Sequence, residues 1–349
     1  MLYIIFGHQT TVLDPNGEIV EAFDDYRSDG VNFLKDKCGT NLVVQFGLVE
    51  NTDKVRKILH DLFLGQKVNW FAFEPIYMLQ KDPEDEFRDY AGEFEFDFCD
   101  EYEFISTLNF NVQFYVPNKG MENFCKDTYY LDPYLWFETS RLSKEQTSYT
   151  TNIENSFFCP NYKDKIHRRV LASYLYSKYP DTSKVSYYFN DYDFTNKELD
   201  IKDNKNLINN LPLALAYDNG NLLHHDMENL YRESFCTIIT ETFFESNFAN
   251  FSEKTLDPIL YGRPFVLAAP PYTLKLLQDL GFKTFSKWWD ESYDTELDNE
   301  KRLAKLKNTI DNIAKLNYNK VLEEMYETLI YNQNNIATLE GKFDDLYRK

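Results

Sequence analysis

The sequence predicts an α/β protein of two Rossmann-like lobes followed by C-terminal helices. Three observations carry this. The chain has 349 residues, more than one ordinary core holds and suited to two domains. Short apolar runs alternate with segments of helical period in both halves, as in βαβ units. From 299 onward the apolar spacing is purely helical, through Leu303, Leu306, Ile310, Ile313 and Leu316, then Val321, Met325, Leu329 and Ile330. The expected division is an acceptor-side lobe over 1–153, a second lobe over 154–298, and helices over 299–349 that pack across the lobes.

In the first lobe, residues 2–6 read as a strand ending at Gly7-His8-Gln9, and 41–46 as a second strand. Residues 52–64 form a helix by the spacing of Val55, Ile58, Leu59, Leu62 and Phe63. A strand over 69–73 ends at Glu74-Pro75, and another covers 107–116. Residues 117–150 are irregular and aromatic, and read as a long loop or cleft wall. In the second lobe, strands are expected at 156–160, 185–189, 235–240 and 265–268. Helices are expected at 165–179, stopped by Pro180, near 227–233, from about Thr255, and over 272–280. Residues 191–210 are polar and Asn-rich, a loop. No GxGxxG is present, so a dinucleotide dehydrogenase is not supported.

Hydrophobic residues make up 43% of the chain, enough for buried cores. With 26 Tyr and 29 Phe, most aromatics fill cores, and some suit a cleft between lobes. The net charge of −20 disfavours nucleic acid and anionic membranes as partners. Five scattered cysteines without a CxxC pair argue against a zinc site or disulfide framework and fit a reducing cytoplasm. No apolar run reaches membrane-spanning length, and MLYIIFGHQ reads as a first strand, not a signal peptide. The triplet Asp191-Tyr192-Asp193 could hold Mg²⁺ or Mn²⁺, but such triplets arise by chance among 57 acids, so no metal is expected.

Four places carry candidate chemistry. Ser252-Glu253-Lys254-Thr255 precedes Pro258, which is best tolerated in a first helical turn and so sets the helix start near Thr255. Free N–H groups and the helix dipole there attract phosphate, Lys254 adds a point charge, and Glu253 can accept from ribose hydroxyls. A capped helix with a surface Glu-Lys pair gives the same pattern. Asn161-Tyr162-Lys163-Asp164-Lys165-Ile166-His167-Arg168-Arg169 follows a strand and opens a helix. Its Arg168 and Arg169 suit phosphate oxygens, or form a surface cluster. Glu241 ends a strand and faces the ligand crevice of a parallel sheet, where it could bind a hydroxyl or brace a loop. His8 and Glu74, at strand ends of the first lobe, are candidate bases for an acceptor hydroxyl.

The run TETFFES…FSEKTLDPILYGRPFVLAAPPYTLKLLQDLGFKTFSKWWDESYD resembles the C-terminal lobe of glycosyltransferases encoded by marine phages, large DNA viruses and some bacteria. FFCPNYKDKIHRRVL is similar to that family's strand, turn and HR helix. The Glu-Lys turn also resembles the donor-binding motif of alpha-fucosyltransferases. The resemblance covers about 155 to 310 and implies a GT-B-like fold with a central cleft. It implies a nucleotide-sugar donor, a GDP- or UDP-sugar, with no obligatory cofactor, and a glycan, protein or small-molecule acceptor. Location would be cytoplasmic, in the host for a viral chain. By position Glu253 would hold ribose, Lys254 and Arg168 the diphosphate, and Glu241 the sugar or its surroundings. Ser252 replaces the family's Thr, Asp257 stands where Lys is common, and Cys159-Pro160-Asn161 departs from an Arg-rich turn. The alternative is a non-catalytic glycan-binding or virion-associated module on a degenerate transferase fold.

Overall fold

A computed structural model describes residues 3–6, 25–38, 42–45, 60, 64–72, 111–116, 128–144, 152–161, 165–187, 224–246 and 249–348. The chain divides into two compact units. One comprises Met1–Arg141, Ser246–Asn250 and Leu339–Lys349, and the other Leu142–Glu245 and Phe251–Thr338.

In the first unit, β1 (Tyr3–Phe6), β2 (Leu42–Gln45), β3 (Lys67–Ala72), β4 (Asn111–Val116) and β5 (Thr128–Tyr130) lie side by side in chain order, all parallel. Two helices are described here, α1 (Asp25–Cys38) and α2 (Pro133–Leu142). The core is aromatic. Trp70, Phe71, Phe114 and Tyr115 of β3 and β4 are buried with Trp136 of α2, and Phe71 stacks on Tyr115 at 4.6 Å. The last turns of the C-terminal helix complete this unit. The Tyr347 ring lies 5.7 Å from those of Tyr115 and Trp136, and Asp344 accepts from Trp136 Nε1 (3.0 Å) and Lys37 Nζ (2.8 Å).

The loop expected over 117–150 is wrong over 128–142, which holds β5 and α2. Tyr129 pairs in register with Tyr115 of β4. Asp132 caps α2 by accepting from Leu135 N at 2.8 Å, and Pro133 takes the first helical position, where its missing N–H costs nothing. The helix expected over 52–64 and the loop over 191–210 lie mostly or wholly outside the described residues.

The second unit has a parallel sheet of β6 (Asn155–Cys159), β7 (Ser183–Val185), β8 (Ser234–Thr240) and β9 (Phe265–Ala268), in the order β7-β6-β8-β9. β6 and β8 are buried along their whole length, as continuous apolar runs covered on both faces are. Its helices are α3 (Ile166–Lys178), α4 (His224–Glu233), α5 (Glu253–Leu260), α6 (Thr273–Asp279), α7 (Asn299–Ile313) and most of α8 (Tyr318–Tyr347), with a 3₁₀ turn at Ser292–Thr295. Both lobes are thus α/β with parallel sheets, as the sequence predicts. Among the described residues no helix is long and apolar enough to cross a membrane.

Strand order locates a crevice in this second sheet. From β6 to β7 the chain steps to one side, whereas from β8 to β9 it steps to the other. Winding therefore reverses between the carboxyl ends of β6 and β8. In open α/β sheets that reversal splays the following connections apart and leaves a ligand crevice.

Candidate functional site

At this reversal point Asn161, just past β6, meets Thr240, the last residue of β8. Thr240 Oγ1 donates to Asn161 Oδ1 at 2.6 Å. The Asn161 amide donates to the carbonyls of Cys159 and Ser186, each at 3.2 Å. Ser186 Oγ in turn accepts from Asn161 N at 2.9 Å. Asn161 thus ties the ends of three strands together, and its side chain is committed to that task. Beside it, burial pushes the Cys159 thiol up to about 12, so it stays protonated and serves packing.

Helix α3 leaves from this edge with Lys165 as N-cap. His167 and Arg168 in its first turn are both buried. Arg168 Nη2 donates to the Thr240 carbonyl at 3.1 Å. Burial draws the guanidinium down from its ordinary value, while the charges of Glu241 and Glu253 act the other way, so all three sit within electrostatic range. His167 Nε2 lies 2.8 Å from the Glu241 carbonyl, and its ring stacks on Phe244 at 5.0 Å. Burial, then the neighbouring Arg168, hold its pKa well below the ordinary 6.5. The imidazole is therefore neutral, with Nε2–H as donor. Arg169 in the same turn is half-buried.

Glu241 follows β8 and is 1% exposed. Its carboxylate reaches the start of α5. Oε1 accepts from Ser252 N at 2.9 Å and Thr255 Oγ1 at 2.7 Å, and Oε2 accepts from Ser252 Oγ at 2.7 Å. A buried carboxylate is tolerable there because three donors replace water and the positive end of a helix faces it. This corrects the expected helix start. α5 begins at Glu253, with Ser252 as N-cap, because the Ser252 hydroxyl and N–H are both organised by Glu241. Pro258 falls beyond the first turn, where the short helix is about to end. The helix end expected to meet a phosphate already faces the chain's own carboxylate.

Glu253 and Lys254 are accordingly the first two helical residues. Lys254 Nζ donates to Glu253 Oε1 at 2.7 Å and to Ser252 Oγ at 3.2 Å. The Lys254 side chain as a whole keeps 36% exposure. Desolvation pulls its pKa down, but Glu253 and Glu241 outweigh it and the net shift is upward; Arg168 acts in the opposite sense. Lys254 is thus a cation held by Glu253 and Ser252 on a partly exposed side chain. Lys165 adds a third positive charge, with Nζ 5.3 Å above the Phe243 ring.

The structure therefore gathers Asn161, Arg168, Glu241, Ser252, Glu253, Lys254 and Thr255 at one carboxyl edge, from three separate stretches of sequence. Asp257 lies further along α5. It is buried and accepts from Tyr231 of α4 at 3.3 Å. His8, Glu74 and the Asp191-Tyr192-Asp193 triplet lie outside the described residues. Among the described residues no group of three or more His, Cys, Asp or Glu could hold a metal ion.

Sequence reasoning missed the buttress behind the loop after β8. Arg302 of α7, 1% exposed, donates to the Phe244 and Glu296 carbonyls and lies 4.0 Å above the Phe244 ring. Phe244 is thus sandwiched between His167 and Arg302. Nothing local distinguishes Arg302 from the surface charges of its helix. The DESYD segment is also structural. Glu291 Oε1 accepts from Phe285 N at 2.7 Å, and Asp294 caps α6 by accepting from Leu274 N at 2.8 Å and Lys275 N at 3.3 Å.

Among solved structures, the chain is similar to a DNA-modifying enzyme, beta-glucosyltransferase, determined in the presence and absence of its substrate uridine diphosphoglucose. The match covers 99% of this chain and 97% of that one, with 8% identity and a TM-score of 0.45. No family model matches the chain, and no curated protein matches it.

Proposed function

We propose that this protein is a GT-B-like glycosyltransferase that moves a sugar from a nucleotide-sugar donor to a hydroxyl acceptor. The observation that carries the reading is the position of the cations. Arg168 and Lys254 sit at the point where the second sheet reverses its winding, one buried and anchored to Thr240, the other held by Glu253 and Ser252 on a partly exposed side chain. A departing nucleoside diphosphate carries its charge on clustered oxygens, and preorganised cations lower the barrier by stabilising that charge as it develops. Glu253 would turn one oxygen to the ribose hydroxyls while the other stays with Lys254. Arg169 and Lys165 would extend the positive rim. Asn161, Ser252 and Thr255 hold the frame. Deprotonation of the acceptor would fall to a base of the first unit, His8 or Glu74.

The Glu-Lys turn resembles that of the viral family and the alpha-fucosyltransferases, so GDP- and UDP-sugars are the donors to try first. A net charge of −20 opposes a polyanionic acceptor, so a glycan, a protein or a small molecule suits the chain better than DNA. The test is calorimetric titration of the protein and Lys254→Ala with UDP, GDP and their sugars. Loss of one charge-assisted contact should weaken binding by about 10- to 100-fold. Unchanged affinity would remove Lys254 from the site, and with it this reading.

A further inference from the structure

Glu241 presents an unusual combination for a donor site. It is buried, yet every bond its carboxylate makes runs to the turn that carries Glu253 and Lys254 and not to open space. It is also an anion among cations. Lys254 Nζ is linked to it through a single hydroxyl, with Nζ to Ser252 Oγ at 3.2 Å and Ser252 Oγ to Glu241 Oε2 at 2.7 Å. Arg168 Nη2 bonds the carbonyl of the preceding residue, Thr240. Its own carbonyl receives His167, so the main chain at Glu241 is held on one side and its carboxylate on the other.

We propose that Glu241 is a positioning and charge-tuning residue that touches no ligand. Its carboxylate sets the Ser252–Thr255 turn, and its negative charge beside Lys254 and Arg168 restrains the affinity of the site for a diphosphate. This rests on the nucleotide-sugar reading above and deepens it. Without the Glu241 charge, the site would hold the nucleoside diphosphate product more tightly and release it more slowly. An internal anion moderates that grip without occupying the ligand's place. The two roles of the carboxylate separate in mutants. Glu241→Gln keeps a side chain of the same shape, able to accept from Ser252 N and Thr255 Oγ1 and to donate to Ser252 Oγ, but removes the charge. Glu241→Ala removes both.

The experiment is calorimetric titration of wild type, Glu241→Gln and Glu241→Ala with UDP and with GDP, after melting curves show that each is folded. Removing one like-charged neighbour of the ligand should tighten binding by Glu241→Gln about three- to tenfold at low salt. Glu241→Ala should bind more weakly than wild type, because the turn loses three bonds. A carboxylate that contacts ligand, or that only braces the fold, gives the opposite sign or no change. Glu241→Gln binding no more tightly than wild type therefore overturns the proposal. Should Glu241→Gln not fold, Ser252→Ala deletes one bond of the clasp and leaves the charge in place. It should weaken binding severalfold, and unchanged affinity would overturn the positioning role. Absence of any nucleotide binding by wild type is a distinct result, which overturns the parent reading instead.

Discussion

Two corners of the second sheet solve the same problem and diverge in what they offer a ligand. After β8, the start of α5 is held by Glu241; after β9, the start of α6 is held by Asp294. In each, a carboxylate from elsewhere in the chain takes up backbone donors that a helix end leaves over. At α6 the arrangement stops there. The nearby cation, Lys275, is 60% exposed and pairs with Asp279 one turn on, and β9 adjoins no reversal of winding. At α5 the cap stands beside Arg168 and Lys254, at the reversal point. The two corners thus share a carboxylate-held helix start and differ in the cations beside it, Arg168 of α3 and Lys254 of α5.

The contrast can be broken by mutating both corners in the same way. Lys254→Ala should weaken nucleotide binding by the factor given above, whereas Lys275→Ala should leave it within about twofold, since exposed ion pairs contribute little. Equal effects would erase the distinction. Removing the α6 cap with Asp294→Ala should cost about 1–2 kcal/mol in denaturant unfolding, as loss of a helix cap does, without altering nucleotide affinity.

A third test concerns pH. The folded-state pKa of His167 lies well below 6.5, so its contribution to stability is fully present above 6.5 and is lost as pH falls from there toward the folded value. A proton there would sit between Arg168 and the Phe244–Arg302 stack. Stability should fall with pH below 6.5 by up to about 1.4 kcal/mol per unit. His167→Gln, which keeps a donor for the Glu241 carbonyl, should flatten that slope, as urea melts across pH would show. The smallest effect belongs to Tyr272, at the α6 corner. It is the one described non-glycine residue with positive φ, at +65°. Tyr272→Gly should relieve strain and change stability by at most about 1 kcal/mol, in the favourable direction.

Much of this was legible in the chain and some was not, for identifiable reasons. The strands of the second unit read directly because a strand buried on both faces is mostly apolar and β-branched, as Phe235 to Thr240 is. The cationic turn after β6 and the Glu-Lys turn were visible as residue types at strand ends. Helix α2 was missed although Asp132-Pro133 announced it, because dense aromatics masked the helical period of Leu135, Trp136, Thr139 and Leu142. The start of α5 lies two residues before Thr255 because Ser252 is held by Glu241, a partner eleven positions away that no local pattern around Pro258 reveals. The Arg302–Phe244–His167 stack joins residues from three elements, and no local pattern encodes it.

The central claim is that an anionic ligand binds where β6 and β8 part. A crystal of the protein soaked with UDP-glucose or a GDP-sugar tests it most directly. The account predicts phosphate oxygens within hydrogen-bond distance of Lys254 Nζ and the Arg168 guanidinium, with the Glu241 carboxylate still on Ser252 and Thr255. Density for the diphosphate at the α6 corner, or away from both cations, would contradict it.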